Sequence, residues 1–396
     1  MTSFGTSIAR SALERVVTRC GAILVACFLL GAPPASAQGY VVTTTPDSPV
    51  AGEAFQVSIT GSFPALYFID PTVDVSASAV TVHLNGDCGF LCPGPVQRTF
   101  TFSLTLGAGA YDLTVFPDGP MAGLSGQAHV TIGNPPNYQG LWWNAPAGSE
   151  SGWGLDIAHQ GDTLFATWFT YDTDGSATWL VVPGAVKGDT GAYSGPIYRA
   201  SRTPSSDGTF QLDASTTASQ VGTASFSFTD PDNGAFAYVV DGVSQTKPIA
   251  RQVFALPKTT CFAASRMSVS NYQDLWWEYP AGSKSGWGMS VAQQGGIVFA
   301  VLYGYDARGR ASWVVMPDLQ KDSSGAFAGD VYRTTGPAFS ASPWLPSQVG
   351  VARVGRGALL FPDAMTGFLT LAFDGSATVQ KTMTRQVFSN PPTLCQ

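Results

Sequence analysis

The sequence predicts an all-β protein, an N-terminal immunoglobulin-like (Ig-like) β-sandwich followed by two tandem antiparallel meander modules of about eight strands each. Charged residues make up only 12 % of the 396 residues, beside 44 Gly and 27 Pro. This composition is typical of short strands joined by turns and not of long surface helices. Short runs alternate apolar and polar residues, and no segment has a sustained helical period. The stretch of 36 residues that begins at Asn137 recurs from Asn271 with 21 identical positions, so one module is present twice.

Residues 1–37 have the pattern of an export signal. Three arginines precede the apolar run of residues 22–30, and Ala-Ser-Ala at 35–37 is a small-residue cleavage site. The apolar run is too short to anchor the chain in a bilayer. The run before Cys27 also resembles a lipobox, but apolar sequence continues to Leu30, which favours ordinary export over lipid attachment; a buried N-terminal helix is the other alternative. We therefore expect a secreted, periplasmic or extracellular protein with no integral membrane segment after signal removal.

The charge balance disfavours two classes of partner. The formal net charge is −7, and loss of residues 1–37, with three Arg and one Glu, makes it −9. Nucleic acid needs a basic footprint on the protein, and an anionic membrane surface attracts basic segments. We therefore predict no nucleic-acid partner and no binding to an anionic membrane surface.

Four cysteines remain after signal removal, and their even number in an exported chain permits disulfides. Cys88 and Cys92 could close a small loop. Cys261 and Cys395 follow the same RQVF segment of the two modules at an offset of 134 residues, and they could join the module ends. A zinc site is the alternative, but only His83 lies near the first cysteine pair. The sequence favours structural bridges and predicts no metal site and no cofactor.

Residues 38–134 form the predicted Ig-like sandwich. Turns rich in Gly, Pro and Asp separate segments of period-two alternation, at the spacing expected of a sandwich. Residues 107–115 look like the penultimate strand of many exported Ig-like domains, and Asn-Pro-Pro at 134–136 is the predicted exit linker. The alternating segments are 40–45, 55–59, 80–84, 99–104, 111–115 and 129–132.

The two modules are predicted at 137–261 and 271–396. In each, short turns join the alternating segments, and short turns cannot make parallel crossovers, so an antiparallel meander follows. Closure into a barrel removes the exposed edges of such a meander, and it is favoured over a two-sheet sandwich. Insertions between the copies fall in one loop region, 203–219 against 337–347, which we expect on the surface.

Five motifs occur in both modules: LWW, SGWG, QG, YD-x-x-G-x-x-x-W and a closing RQVF. Together they resemble a repeat of poorly characterised exported proteins of Gram-negative bacteria, and the resemblance covers residues 137–388. The pattern is specific, because many Trp and Gly positions coincide in both copies. The resemblance implies export and a β-module but no activity. Copy two departs from copy one at Leu302 and Tyr303, which stand where copy one has Trp168 and Phe169.

The sequence offers no evident catalytic set. There are three His, and the one in the modules, His159, aligns with Gln293 of the other copy. Asp156 likewise aligns with Ser290. The chain has no G-x-S-x-G elbow, no H-E-x-x-H motif and no P-loop. We predict no catalytic residues.

One acidic turn resembles the start of a calcium loop. It is Asp-Thr-Asp-Gly at 172–175, and its counterpart at 306–309 has an arginine in place of the second acid. A hard cation needs several oxygen ligands, which copy two does not offer. A hairpin turn with a left-handed glycine explains both copies.

The tryptophans are the main binding candidates, since flat aromatic faces with few charges suit sugar rings or other apolar ligands. The two tryptophans of each LWW motif point to opposite faces of a strand, so we expect one in the core and one at solvent, a cavity or the neighbouring module. The SGWG tryptophans lie between glycines that leave room for close approach. The alternative is that all of them fill barrel interiors or seal the joint between the two copies. The candidate ligand-binding residues are Trp142, Trp143, Trp153, Arg199, Trp276, Trp277, Trp287 and Arg333.

Arginines recur at equivalent positions in both copies. Arg199 matches Arg333, and Arg251 matches Arg385. As ligand contacts they would bind carboxylate or sulfate groups. The sequence favours a structural role, stacked on indole or paired with an aspartate.

Three functional hypotheses follow. The first is a non-enzymatic binding or adhesion protein that recognises glycans or other cell-surface components through its aromatic residues. The second is an extracellular hydrolase that uses carboxylates such as Asp156 or Asp172. The third is a purely structural surface or matrix protein that associates with itself.

Overall fold

The computed structural model describes residues 39–64, 68–87, 94–117, 125–204, 210–212, 216–264, 270–283 and 286–396. The predicted export signal and the predicted Cys88–Cys92 bridge lie outside these residues. The described part of the chain is all-β, as the sequence predicts, apart from a short 3-10 turn at Pro346–Gln348. It divides into two compact units, and both modules belong to the second.

The N-terminal unit contains two sheets, with strand orders β1-β2-β5 and β3-β4-β6-β7. β2 pairs antiparallel with both of its neighbours, whereas β4 and β6 are parallel. Val57 and Ile59 on β2, and Val80 and Val82 on β4, are fully buried, and the residues between them are more exposed. This period of two is what a strand with one buried face produces. The bounds are β1 (Val41–Thr45), β2 (Ala54–Pro64), β3 (Phe68–Ser76), β4 (Ala79–Asp87), β5 (Pro95–Thr105), β6 (Gly109–Pro117) and β7 (Gly126–Ile132).

These two sheets are consistent with the predicted sandwich. The finer assignment of this unit as Ig-like stays a prediction.

Each module is a closed barrel of eight strands, which confirms the preference for a barrel over a sandwich. The first barrel consists of β8 (Gly140–Asn144), β9 (Gly154–Gln160), β10 (Thr163–Tyr171), β11 (Ala177–Lys187), β12 (Tyr193–Arg202), β13 (Thr216–Asp230), β14 (Asn233–Val240) and β15 (Val243–Arg251). The second consists of β17 (Asp274–Glu278), β18 (Gly288–Gln294), β19 (Ile297–Tyr305), β20 (Ala311–Lys321), β21 (Phe327–Thr335), β22 (Gly350–Leu360), β23 (Thr366–Phe373) and β24 (Val379–Arg385). The short strands β16 (Cys261–Ala263) and β25 (Thr393–Cys395) follow the barrels and pair with each other.

Tight turns enforce the meander order. Between β14 and β15, Val240 pairs with Val243, and the two residues between them have φ values of 48° at Asp241 and 81° at Gly242. Positive φ at both central positions matches the right-handed twist of the flanking strands. Such a turn returns the chain beside the strand it has just left.

Aromatic residues fill the barrel interiors. Trp142 and Trp276, the first tryptophans of the LWW motifs, are fully buried. The guanidinium of Arg251 lies 4.8 Å from the ring centroid of Trp142, and that of Arg385 lies 5.1 Å from Trp276. These two arginines are thus stacked on indole rings.

The two barrels contact each other through equivalent faces, related by the offset of 134 residues. Trp179 Nε1 of β11 donates to the Gly304 carbonyl oxygen at 2.9 Å, and Trp313 Nε1 of β20 donates to the Thr170 carbonyl oxygen at 3.1 Å. Trp313 is the equivalent of Trp179, and Gly304 that of Thr170. The barrels are therefore related by a pseudo-twofold axis, as in an isologous dimer.

Each module also sends its C-terminal tail to the other. Gln160 Oε1 accepts the backbone N–H of Phe388 at 2.9 Å, and its equivalent Gln294 Oε1 accepts that of Phe254 at 2.8 Å. Beyond these contacts β16 and β25 pair, and Cys261 and Cys395 are joined by a disulfide. The tail exchange holds the two barrels together independently of the bridge.

The loop region that differs between the copies is not confined to the surface, contrary to our expectation. Phe339 and Trp344 are buried with the core of the first barrel, and Phe210 and Leu212 are buried with that of the second. Each barrel therefore has part of its core supplied by the other copy. Local composition does not reveal such packing, because the partner is distant in sequence.

Candidate functional site

A concave cavity of about 440 Å³ lies between the two barrels, and we call it the inter-barrel groove. Both copies contribute to its lining, and none of its lining residues is charged. Its aromatic lining comes from Trp142, Trp143, Trp153, Phe169, Phe299, Trp313 and Tyr332.

The SGWG turn of copy one closes one side of the inter-barrel groove. Gly152 has a φ of +113°, and a methyl group built on it would lie 2.5 Å from the side chain of Val349 in copy two. Only glycine permits both this backbone conformation and this approach. Trp344 Nε1 also donates to the Ser151 carbonyl oxygen at 3.0 Å. The loop of copy two thus holds the turn of copy one in place.

The orientation of Trp153 is fixed by a short chain of polar contacts. Its Nε1 donates to Glu150 Oε2 at 3.0 Å, and Lys247 Nζ donates to the same oxygen at 2.9 Å. The side chains of Glu150 and Lys247 are 18 % and 13 % exposed. This arrangement presents the ring of Trp153 to the groove while its polar edge is satisfied.

The inter-barrel groove has few polar groups. Ser151 Oγ donates to the Gly148 carbonyl oxygen. Thr334 Oγ1 is buried. Apart from these hydroxyls and Gln252, the lining side chains are apolar or aromatic. The groove can therefore desolvate an apolar surface but offers little to satisfy a ligand that carries many hydroxyl groups.

The pseudo-equivalent position in the other half of the interface is occupied. A methyl group built on Gly288 would lie 2.6 Å from the ring of Tyr303. One built on Gly154, the equivalent of Gly288, would have only the Trp142 carbonyl oxygen near it, at 3.2 Å. The departure of copy two from the repeat pattern, Tyr303 in place of Phe169, thus fills the place that is open beside Gly154.

The structure brings three of the predicted ligand-binding residues together. Trp142, Trp143 and Trp153 line the inter-barrel groove, although Trp142 itself is fully buried in the barrel core. Their equivalents Trp276, Trp277 and Trp287 lie at the corresponding positions of the second barrel and do not line it.

The predicted arginines lie elsewhere. Arg199 Nη2 donates to Asp241 Oδ2 at 2.7 Å. Arg333 is exposed, with its guanidinium 5.8 Å from the ring centroid of Phe373. Neither side chain lines the groove.

The residues that copy two contributes to the groove are not among the predicted ligand-binding residues. Val301, Tyr332, Thr334 and Val349 line the groove but belong to no repeated motif singled out in the sequence. Trp313 carried a signal, because it ends the YD-x-x-G-x-x-x-W motif. That signal does not show which side of the barrel the tryptophan faces.

The carboxylates of the hydrolase hypothesis lie apart from the groove. Asp156 is 5 % exposed at the contact between the barrels, and burial raises its pKa to about 7. Asp172 lies in the turn after β10, where its Oδ1 accepts the Thr173 N–H at 2.7 Å. Neither lines the groove. In the parts of the chain that the structure describes, no group of three or more His, Cys, Asp and Glu residues could hold a metal ion.

His159 is a buried part of the core. Its exposure is 4 %, and burial lowers its pKa to about 4, so the imidazole is neutral at physiological pH. Its Nδ1 accepts the backbone N–H of Tyr138 at 3.1 Å, and its Nε2 lies 3.3 Å from Tyr193 Oη. This environment explains why a polar residue, His159 or its equivalent Gln293, occupies the position.

Comparisons with known proteins give no match to a family model, to a curated protein or to a solved structure. Within the described residues, no helix has the length and apolar character needed to cross a membrane.

Proposed function

We propose that the protein is a non-enzymatic binding protein and that its inter-barrel groove binds a small apolar molecule of the fatty acyl type. The observation that carries the proposal is an uncharged, aromatic cavity of about 440 Å³ between the two barrels. Small-molecule sites are typically concave, mostly apolar and about 300–1,000 Å³ in size. An exported location, predicted from residues 1–37, would give such a protein access to lipids outside the cytoplasm.

The chemistry of the lining favours an acyl chain over a glycan. A sugar that enters a dry site loses the hydrogen bonds of its hydroxyl groups to water, and each unpaired group costs about 1–3 kcal/mol. The groove offers only the side chains of Ser151, Gln252, Tyr332 and Thr334 for this purpose, and the Ser151 hydroxyl already donates to Gly148. Apolar carbon buried against Trp143, Trp153 and Trp313 gains about 25 cal/mol per Å² without that cost.

The test is titration of the mature full-length protein with a fluorescent fatty acid, with palmitate as competitor. Val351 lines the rim and is 65 % exposed, so Val351→Trp adds bulk at the mouth of the groove. Thr217 is an exposed residue of β13, the corresponding strand of the first barrel, and it does not line the groove, so Thr217→Trp is the control. We expect V351W to weaken probe binding at least tenfold, or by about 1.4 kcal/mol, and T217W to leave it unchanged.

Two results would contradict the proposal. The first is saturable probe binding that V351W and T217W affect equally. The second is no probe binding by the wild type, combined with a shift of tryptophan emission on addition of a polysaccharide, which would support the glycan hypothesis instead.

A further inference from the structure

We infer that the contact between the barrels is specific for a pair of unlike modules. The face of copy one binds the face of copy two more tightly than it would bind the face of another module identical to copy one. The partner for either face is thus the opposite module of the same chain. The inference does not depend on the proposed ligand, because the residues that carry it lie outside the inter-barrel groove.

Residues on the pseudo-twofold axis contact their own equivalents. Gln139 Nε2 donates to the Gln273 carbonyl oxygen at 3.0 Å, and Gln273 Nε2 donates to the Gln139 carbonyl oxygen at 3.4 Å. The disulfide likewise joins equivalent positions of the two copies. In geometry alone, such a face is self-complementary, and two identical modules could use it.

Chemistry breaks this symmetry at the centre of the contact. Asp156 lies beside its own equivalent Ser290, with Tyr303 close to both. Asp156 and Ser290 are 5 % and 1 % exposed. In a pair of two copy-one modules, two carboxyl groups would meet on the axis in this dry contact, where like charges cannot both ionise without a large penalty. The unlike pair replaces one carboxyl group with a hydroxyl group.

The edge of the contact shows the same asymmetry. Arg310 Nη1 of copy two donates to Asp174 Oδ2 of copy one at 2.6 Å. The equivalent of Asp174 is Arg308, and the equivalent of Arg310 is Ser176. Two copy-two modules would place Arg310 opposite Arg308, and two copy-one modules would place Asp174 opposite a serine. Only the unlike pair brings opposite charges together, and such pairs set partner choice more than affinity.

The exchanged loops add a steric preference. Phe339 of copy two packs 5.9 Å from Trp168 of copy one, between ring centroids, and Tyr238 Oη donates to the Phe339 carbonyl oxygen at 2.9 Å. Phe210 of copy one fills the second barrel, 5.9 Å from Phe373. The two loops differ in sequence and in length, so each matches the barrel of the opposite module.

The experiment mimics like pairs inside the intact chain. Ser290→Asp places two carboxyl groups on the axis, as in a pair of copy-one modules. Asp156→Ser places two serines there, as in a pair of copy-two modules. The double variant D156S/S290D restores one carboxyl group on the opposite side. Ser227→Asp, at an exposed strand position, controls for the added charge.

The readout is the association of the two halves of the full chain. A protease site is inserted between Ala264 and Ser270, the folded protein is cut, the disulfide is reduced, and the two fragments are followed by size-exclusion chromatography on dilution. We expect S290D to weaken their association at least about tenfold at pH 8. The effect should be smaller at pH 5, where a carboxyl group on the axis is protonated. The association constant of the double variant should lie within about threefold of that of the wild type, and S227D should have no effect.

A further control concerns Asp274, which is paired with Arg385 and whose charge also raises the pKa of Asp156. The pH series is therefore repeated in the Asp274→Asn background.

Thermal unfolding of the same uncut variants is the second measurement. We expect S290D to lower the Tm, D156S/S290D to recover most of the loss, and S227D to leave the Tm unchanged. Equal association or Tm for S290D and wild type would overturn the inference. So would a loss in the double variant equal to the sum of the losses in the single variants, because the two positions would then act independently.

Discussion

The buried carboxyl group of Asp156 makes a quantitative prediction about pH. Burial raises its pKa from 3.8 to about 7, and the charge of Asp274 adds to the effect. Because the folded pKa lies above the unfolded one, the folded protein keeps a proton that the unfolded chain has lost between about pH 4 and pH 7. The contribution of this group to stability is therefore fully present below about pH 4, and it falls as the pH rises to about 7.

The magnitude follows from the separation of the two pKa values. At about 1.4 kcal/mol per pH unit, the interval from 3.8 to about 7 corresponds to at most about 4 kcal/mol of unfolding free energy. Asp156→Asn keeps the shape of the side chain but cannot ionise. We expect the variant to gain up to about 4 kcal/mol relative to wild type between pH 4 and pH 8. The difference between the two proteins cancels the titration of all unchanged groups.

The assay is urea unfolding at pH 4, 6 and 8, followed by tryptophan fluorescence. Asp189→Asn, at an exposed turn position, is the control and should track wild type at every pH. If the stability of D156N relative to wild type is the same at pH 4 and pH 8, folding does not raise the pKa of Asp156, contrary to what its burial predicts.

Two further predictions concern stability and use matched controls. Asp274 and Arg385 form a fully buried ion pair, so Asp274→Asn should lower the free energy of unfolding by about 3–5 kcal/mol. Asp232, the partner of Arg251, is 44 % exposed, so Asp232→Asn should lower it by less than about 1 kcal/mol. Both losses are measured by urea unfolding. Gly161 has a φ of +56° and a methyl group built on it would lie 2.5 Å from the Asn390 carbonyl oxygen, so Gly161→Ala should cost more than about 2 kcal/mol and loosen the tail. Gly191→Ala, at a φ of +80° with nothing near it, should cost only about 1 kcal/mol. Equal losses within either pair would contradict the packing described.

The tail exchange suggests why the RQVF motif recurs. Its arginine is stacked on the buried tryptophan of its own barrel, while the residues after it are held by a glutamine of the other barrel. The motif therefore serves its own core and the contact between the barrels at once. The same double use explains why the QG motif recurs, since Gln160 and Gln294 receive the tails and Gly161 and Gly295 let them approach.

Much of the fold was predictable, because its determinants are local or repeated. Period-two alternation and short turns specify antiparallel hairpins. A meander of eight such strands would leave two exposed edge strands, and closure into a barrel removes them. The duplication at a constant offset also predicted that both modules share one architecture. The contribution of the differing loops to the barrel cores was not predictable, because Phe339 and Phe210 find their partners in the opposite module.

Only the wall of the groove that copy one contributes was predictable from the sequence. The LWW and SGWG motifs identified Trp143 and Trp153, since adjacent tryptophans and a tryptophan between glycines are local signals. The other wall, with Val301 and Tyr332, comes from strands more than a hundred residues away in sequence. Arg199 and Arg333 recur as regularly as the tryptophans, yet they lie outside the groove, because recurrence alone does not separate a ligand contact from a surface contact.

The sequence by itself determined the strand class, the duplication and the equivalence of positions, since alternation, turn residues and repeated motifs act over a few residues and are written in the chain. Tertiary structure decided which equivalent residues meet. Asp156 faces Ser290, Tyr303 fills one half of the contact, and the place beside Gly154 stays open. The physical reason is that a pseudo-twofold contact turns each single difference between the copies into an asymmetry across the axis, and only the packed pair of barrels places the two sides together.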